Sequence, residues 1–330
     1  MTMATSVIVV TALALLFDLL NGIHDSSNVV ATMISSRAMS PRLALGMTAL
    51  ANFFGPLVFG VAVANTIGHE IVAADAINMN VLIAALTGAI FWNLLTWYLG
   101  FPSSSSHALI GGFVGSVVVG AGWQALHYAG MEKVLIALFA SPILGFVVGY
   151  FILRATILLS WNASPRVNVF FRQSQMLTAL ALALSHGTND AQKTMGIITL
   201  ALVTGGLLDT FAVPLWVVLV CASMIALGTA VGGWRLIRTL GGKFFRIRPV
   251  DGFTSQLASA VVIIVASLAG GPVSTTQVVS SSIMGVGAAE RANKVRWGVA
   301  REIAVAWLLT IPATALVSAG IYFLLSRFLP

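Results

Sequence analysis

Charge is scarce in this sequence: 8% of its 330 residues are Asp, Glu, Lys or Arg, whereas 58% are hydrophobic. Soluble domains carry roughly 25% charged residues, so this composition cannot cover a water-exposed surface. The apolar runs are long and lack strand-type alternation, which argues against a membrane β-barrel. The sequence therefore predicts an all-α integral membrane protein with about 10–12 transmembrane segments.

Other scarcities narrow the class of function. The single cysteine, Cys221, excludes a disulfide framework, and no Cys and His cluster suggests structural zinc. A Gly-rich loop of the ATP-binding type is missing, so the sequence does not predict an ATP-driven pump. The first basic residue is Arg37, too late for the basic start of a cleavable signal peptide. We expect no cofactor and no enzymatic activity.

The basic residues are concentrated in four segments, at 36–42, 154–172, 235–251 and 290–301. Counting the apolar runs between them places all four segments on the same side of the membrane. The positive-inside rule makes that side cytoplasmic and predicts that both termini are extracytoplasmic. The formal charge of +7 is thus a signal of topology, and we expect no nucleic-acid partner.

Two short motifs each occur twice, about half a chain apart: Gly22–Asn28 with Gly187–Lys193, and Pro102–His107 with Pro272–Gln277. Two matches in the same order indicate a duplication, with repeats at residues 1–165 and 166–330. Each repeat has an odd number of predicted crossings, so the second copy enters the membrane from the opposite side. Inverted repeats of this kind place substrate near the bilayer midplane, at the interface of the repeats.

The first motif puts an aspartate, Asp25 or Asp190, inside an otherwise apolar run. Such a carboxylate is costly unless it faces a cavity and binds something. Gly22 and Gly187 precede the aspartates and predict a break in each long helix. Exposed carbonyls and hard oxygen ligands suit Na⁺, or a proton on a carboxylate, and the candidate cation ligands are Asp25, Asn28, Asn189 and Asp190. The alternative is a polar contact between helices.

Three further residues adjoin the first motif. Asp18 lies seven residues before Asp25, on the same helical face, and could belong to a cation or proton path. It has no acidic counterpart in the second repeat, so a structural role is an equal alternative. For His24 and His186, each close to an aspartate, we expect hydrogen-bonded structural roles.

The second motif is a Ser/Thr cluster that follows a proline suited to the first turn of a helix. Helix starts expose unpaired N–H groups that attract anions, and hydroxyls add further donors. Two such starts could hold a tetrahedral oxyanion from opposite sides, although ordinary N-capping is the alternative. The candidate anion ligands are Ser104, Ser105, Ser106, Ser274, Thr275, Thr276 and Lys193, with His107 or Gln277 completing the shell.

These motifs resemble those of the inorganic phosphate transporter (PiT) family. The resemblance is carried by Asn21–Thr32, Phe101–His107, His186–Lys193 and Pro272–Gln277, and by the tail 280–301, which is similar to bacterial members. Two departures are the fully polar run after Pro102 and the glutamine at 277, where the family commonly has histidine.

The resemblance implies a secondary transporter that imports inorganic phosphate across the inner (cytoplasmic) membrane, as a homodimer coupled to H⁺ or Na⁺. The resemblance also implies that the Asp and Asn positions bind the cation and that the Ser/Thr clusters bind phosphate. Bacterial members of the family also transport phosphate as a neutral metal–phosphate complex. A sulfate permease on the same scaffold is one alternative. An intramembrane serine hydrolase is an alternative of another class, and an ion channel or receptor is a third.

Overall fold

The computed structural model describes residues 2–72, 77–100, 103–233 and 247–328. The described residues are almost entirely helical and contain no β-strand, which confirms the all-α prediction. The helices are α1 Met3–Ser35, α2 Pro41–Phe59, α3 Ala62–Asn65, α4 Met79–Leu99, α5 Ser105–Ala121, α6 Tyr128–Leu159, α7 Val167–Thr204, α8 Leu215–Val231, α9 Pro249–Leu268, α10 Thr275–Glu290 and α11 Trp297–Phe328. A π-helical turn at Thr66–Glu70 extends α3.

Six described helices are long and apolar enough to cross a membrane: α1, α2, α4, α6, α9 and α11. Helices α5 and α8 are apolar but contain 17 residues each. At 1.5 Å per residue they are about 26 Å long, slightly less than the hydrocarbon core of roughly 30 Å. By length and composition, the described part of the chain therefore contains several helices that can cross a membrane and two apolar helices that are slightly shorter.

Apolar and polar side chains are distributed inversely to those of a soluble protein. Large hydrophobic residues cover the outside of the bundle, and Leu159 and Leu316 are 87% and 75% exposed. The centre instead contains fully buried carboxylates at Asp18, Asp25 and Asp190. Exposed leucines and enclosed acids are the pattern expected of a membrane protein with a polar site inside its helix bundle.

The two longest helices carry the predicted aspartates. Helix α1 has 33 residues and α7 has 38, and both are continuous through their motifs. The expected breaks at Gly22 and Gly187 were therefore wrong. A Cβ on Gly22 would lie 2.3 Å from the carbonyl oxygen of Ile225, and one on Gly187 would lie 2.3 Å from that of Asn52. These glycines permit close helix crossings instead of backbone breaks.

The helices of the two halves of the chain pack against each other in a crossed pattern. Helix α1 packs against α8, while its counterpart α7 packs against α2. Likewise α5 packs against α11, while its counterpart α10 packs against α6. Each pairing joins one half of the chain to the other, so neither half encloses its own polar centre. The inverted relation of residues 1–165 to residues 166–330 stays a prediction.

Candidate functional site

Asp25 lies at the centre of the bundle, where α1 approaches the starts of α5 and α10. Its Oδ1 atom accepts hydrogen bonds from His24 Nδ1, Asn28 Nδ2 and Thr276 Oγ1, each at 2.9 Å. Its Oδ2 atom accepts a longer bond of 3.3 Å from Ser105 Oγ. Residues from both halves of the chain therefore surround this carboxylate, as the repeat motifs predicted.

Asp190 occupies the matching place on α7. Its Oδ2 atom accepts from Thr275 Oγ1 at 2.9 Å and lies 3.0 Å from His186 Nε2. Its Oδ1 atom pairs with the ammonium of Lys193, one turn further along the helix. Lys193 is only 2% exposed, so this ion pair is shielded from water. Such a pair is costly to break, because a single buried charge would remain.

Asn28 and Lys193 stand at matching motif positions and make matching contacts. Asn28 Nδ2 donates to Thr276 Oγ1 at 3.0 Å. Lys193 Nζ donates to Ser106 Oγ at 2.6 Å and to the carbonyl oxygen of Val273 at 3.1 Å. The same geometry therefore contains a neutral amide in one half and a fixed positive charge in the other.

The Ser/Thr clusters form the starts of α5 and α10, but each helix begins three residues after the proline that was predicted to open it. The N-caps are Ser104 and Ser274, whose hydroxyls accept from the backbone of His107 at 3.1 Å and of Gln277 at 3.3 Å. Pro272 thus precedes the cap instead of opening the helix, and Pro102 lies outside the described residues. For the two cap side chains, the N-capping alternative describes the geometry.

The remaining hydroxyls of the clusters face the site. Ser105 and Thr276 donate to Asp25, Thr275 donates to Asp190, and Ser106 Oγ donates to the carbonyl oxygen of Val273 at 3.0 Å. The two helix starts meet, since Nε2 of Gln277 lies 3.3 Å from Nε2 of His107. The predicted anion and cation ligands therefore lie together in one buried cluster.

Comparison with known proteins identifies the class. A family model described as "Phosphate transporter family" matches residues 21–318, which include both copies of each motif. The chain belongs to this family.

Curated relatives of this phosphate transporter family member match it over nearly their whole length. A protein of Bacillus subtilis is 46% identical over 98% of this chain and 97% of its own length. One of Rhizobium meliloti is 45% identical, over 94% of each chain. Both carry the name "Probable low-affinity inorganic phosphate transporter". Because these relatives are transporters, the serine-hydrolase alternative was wrong, and the expectation that the chain is not an enzyme is confirmed.

A solved structure, named "The sodium-dependent phosphate transporter", shares the fold. The two chains superimpose with a TM-score of 0.92. The match covers 98% of this chain and 100% of the other, at 24% sequence identity. At that identity the likeness establishes the architecture of this family member and leaves its coupling ion open.

The side chains at the centre of the site can supply ligand atoms to a small cation. One ligand atom each from Asp25, His186 and Asp190 lies within 4.8 Å of the others. The side-chain oxygens of Asn28 and Asn189 are buried and accept no hydrogen bond from protein. Carboxylate and amide oxygens are the ligand types that hard cations prefer.

Asn189 takes a different orientation from the other three predicted cation ligands. Its amide nitrogen donates to Ser267 Oγ at 2.8 Å and to the carbonyl oxygen of Gly271 at 3.1 Å. These bonds attach α7 to the end of α9 and to the segment that leads into α10. Asn189 therefore also connects the cation ligands to the segment that presents Ser274 and Thr275.

His186 lies within the central cluster, whereas the sequence predicted only a hydrogen-bonded structural role for it. The Nε2 atom of His186 lies between the two carboxylates, 3.0 Å from Asp190 and 3.9 Å from Asp25. The Nδ1 atom is 3.3 Å from Asn52 Oδ1, which orients the ring. A signal was present in the sequence: Asn21 and His24 precede Asp25, and at the matching positions before Asp190 the two residue types are exchanged, as His186 and Asn189.

Proposed function

We propose that this chain imports inorganic phosphate across the cytoplasmic membrane as a secondary active transporter coupled to a cation, H⁺ or Na⁺. The observation that carries this proposal is the central cluster, in which two buried aspartates and one buried lysine meet two Ser/Thr-capped helix starts. Family membership favours phosphate over sulfate as the anion. The inverted repeat and the homodimer belong to the same proposal.

Charge explains why a cation must accompany the anion. With His186 neutral, Asp25 and Asp190 contribute two negative charges against the one positive charge of Lys193, and these three side chains are at most 2% exposed. Two unit charges about 4 Å apart interact by roughly 4 kcal/mol at an effective dielectric of about 20. Phosphate is therefore repelled until a proton or a sodium ion offsets the excess negative charge.

The hydroxyl groups provide the link between cation and anion. In the present state Ser105 and Thr276 donate to Asp25, and Thr275 donates to Asp190. A cation bound to these carboxylates competes for their oxygens and releases the hydroxyls. The freed hydroxyls, together with Lys193 and the N–H groups of the helix starts, then donate to phosphate oxygens. Each ligand thus prepares the site for the other.

The enclosure of the cluster supports transport by alternating access. Asp25, Asp190 and Lys193 have side-chain exposures between 0 and 2%, so neither aqueous phase reaches them in this state. Helix contacts must open on one side for phosphate to enter and on the other for it to leave. The crossed pairing of the halves, with α1 on α8 and α7 on α2, supplies two related surfaces for such a movement.

Phosphate uptake into proteoliposomes tests this function. Radiolabelled phosphate should accumulate in wild-type vesicles under an imposed Na⁺ or pH gradient, and excess sulfate should compete poorly. Asp25→Asn and Asp190→Asn should each abolish accumulation, because the substitution removes a charge that binds the cation. Asp209→Asn, the same substitution at an exposed loop residue, is the matched control and should transport normally. Normal accumulation by both central variants would overturn the proposal.

A further inference from the structure

A third buried acid, Asp18, lies outside the cluster just described. It is on α1, two helical turns before Asp25, and has no measurable exposure. Both carboxyl oxygens face one hydroxyl, that of Thr194 on α7, at 2.7 and 2.6 Å. Thr194 follows Asp190 by one turn. Asp18 and Thr194 therefore form a second polar contact between α1 and α7, adjacent to the central site.

The number of available hydrogen atoms limits how Thr194 and Asp18 can be hydrogen-bonded. The Thr194 hydroxyl has one hydrogen, yet it lies within bonding distance of three oxygens: the two of Asp18 and the carbonyl oxygen of Ala191 at 2.9 Å. The bond to the carbonyl three residues back is the usual one for a threonine inside a helix. If that bond takes the hydroxyl hydrogen, the hydrogen between Thr194 and Asp18 must belong to Asp18.

The charged surroundings support the same assignment. The titratable groups that face Asp18 are Cys221 of α8, and Asp190 and Lys193 of α7. Cys221 and Asp190 bring no positive charge. The ammonium of Lys193 is engaged by Asp190, Ser106 and Val273. A buried carboxylate without a paired cation is strongly disfavoured, whereas a neutral acid that donates to a threonine is not.

We propose that Asp18 is a proton-binding site of the transport cycle, which is protonated in this enclosed state and releases its proton on the side where phosphate leaves. This inference rests on the proposed function and extends it, because it places one coupling proton at a residue apart from the central cation ligands. The proton enters from the aqueous phase that supplies phosphate. Asparagine at this position keeps the shape and neutrality of the protonated acid but cannot exchange a proton.

Two transport assays in proteoliposomes distinguish this proposal from the proposed function. Phosphate/phosphate exchange needs no net proton movement, so Asp18→Asn should retain exchange although its gradient-driven uptake falls. In net uptake, each co-transported proton multiplies the accumulation ratio by about ten for every unit of imposed pH gradient, at zero membrane potential. Asp18→Asn should therefore accumulate about tenfold less phosphate per pH unit than wild type or Asp209→Asn. Phosphate speciation is the same in all three preparations and does not affect the comparison.

The results distinguish failure of the proton site from failure of the proposed transport function. Equal gradient-driven accumulation by Asp18→Asn and wild type would overturn the proton site and leave phosphate transport intact. Absence of phosphate transport in wild-type vesicles would instead overturn the proposed function. If Asp18→Asn does not fold, infrared spectroscopy of Thr194→Val and wild type decides. A protonated carboxyl gives a carbonyl band that shifts when its hydrogen-bond partner is removed, and a wild-type protein with no such Thr194-sensitive band would refute the assignment.

Discussion

Replacement of Lys193 by methionine removes a charge from the central cluster and nearly preserves the shape of the side chain. Lys193 is 2% exposed and paired with Asp190, which has no exposure. Removing one partner of a buried pair costs about 3–5 kcal/mol. Because His186 stays 3.0 Å from Asp190, we take the lower end, about 3 kcal/mol. At about 2 °C per kcal/mol, the unfolding temperature should fall by roughly 6 °C.

The chain contains its own reporter for this measurement. Cys221, the single cysteine, is fully buried on α8 and should react with a thiol-specific fluorophore only on unfolding. Asp190→Asn should also destabilise the protein, because it leaves Lys193 as an unpaired buried cation. The double variant should then be more stable than the sum of the two losses predicts, since residues in one ion pair do not behave additively.

Lys133→Met is the matched control for Lys193→Met. Lys133 pairs with Glu70 at 3.0 Å, but the two side chains are 38% and 40% exposed. Exposed pairs contribute about 0–1 kcal/mol, so this variant should unfold close to the wild-type temperature. If Lys193→Met costs no more than Lys133→Met, or if the losses of Lys193→Met and Asp190→Asn simply add, the assigned buried ion pair is refuted.

Three further predictions concern packing, backbone satisfaction and surface charge. Gly22→Ala should destabilise the protein by about 1–3 kcal/mol, because the new methyl group would lie 2.3 Å from a carbonyl oxygen of α8. Gly46→Ala is the control: its methyl group would meet no neighbouring atom, so the same thiol assay should show unchanged or increased stability. Gln192→Leu removes the acceptor of the first amides of α3, so hydrogen exchange there should accelerate and unchanged exchange would contradict this role. Side-chain hydrogen bonds to Asp251 raise the pKa of Arg248 above its ordinary value. Stability from a raised pKa is lost only as the pH rises through the folded value, so the cost of Arg248→Gln should be equal at neutral and moderately alkaline pH.

Membership of the site was largely predictable from the sequence, whereas its bonding pattern was not. The duplicated motifs were sufficient to bring Asp25 and Asp190 together with Ser105 and Thr275. Which hydroxyl donates to which carboxylate depends on the rotation and depth of α5 and α10 against α1 and α7. Thr276, for example, contacts Asn28 across 248 positions of sequence. No local pattern encodes such a distance, because packing of other helices determines it.

The predictions for Gly187 and Pro272 were wrong because each residue type is compatible with more than one local structure. Glycine permits either an unusual backbone conformation or the close approach of a neighbouring backbone, and only the neighbour distinguishes the two. Gly187 was therefore assigned to a helix break, although it accommodates the backbone of Asn52. Pro272 was assigned to a first helical turn in the same way. There the hydroxyl of Ser274 caps the helix two residues later, and capping chemistry determined the start.

The difference between the two halves sets limits on the mechanism. A fully symmetric site would contain Asn28 and a second asparagine beside two carboxylates, with two negative charges to offset before an anion could enter. Lys193 supplies one positive charge to its half of the site and is paired with Asp190. Under the proposed function the mobile cation binds both carboxylates, and the donor-free oxygen of Asn28 adds a ligand in the half that lacks a lysine. Thr276 reaches Asp25 from α10, so a cation at Asp25 would release a hydroxyl that belongs to the other half of the chain. The proposed coupling between cation and phosphate would therefore pass across the interface of the two halves, which is also the interface that would move in the proposed alternating access.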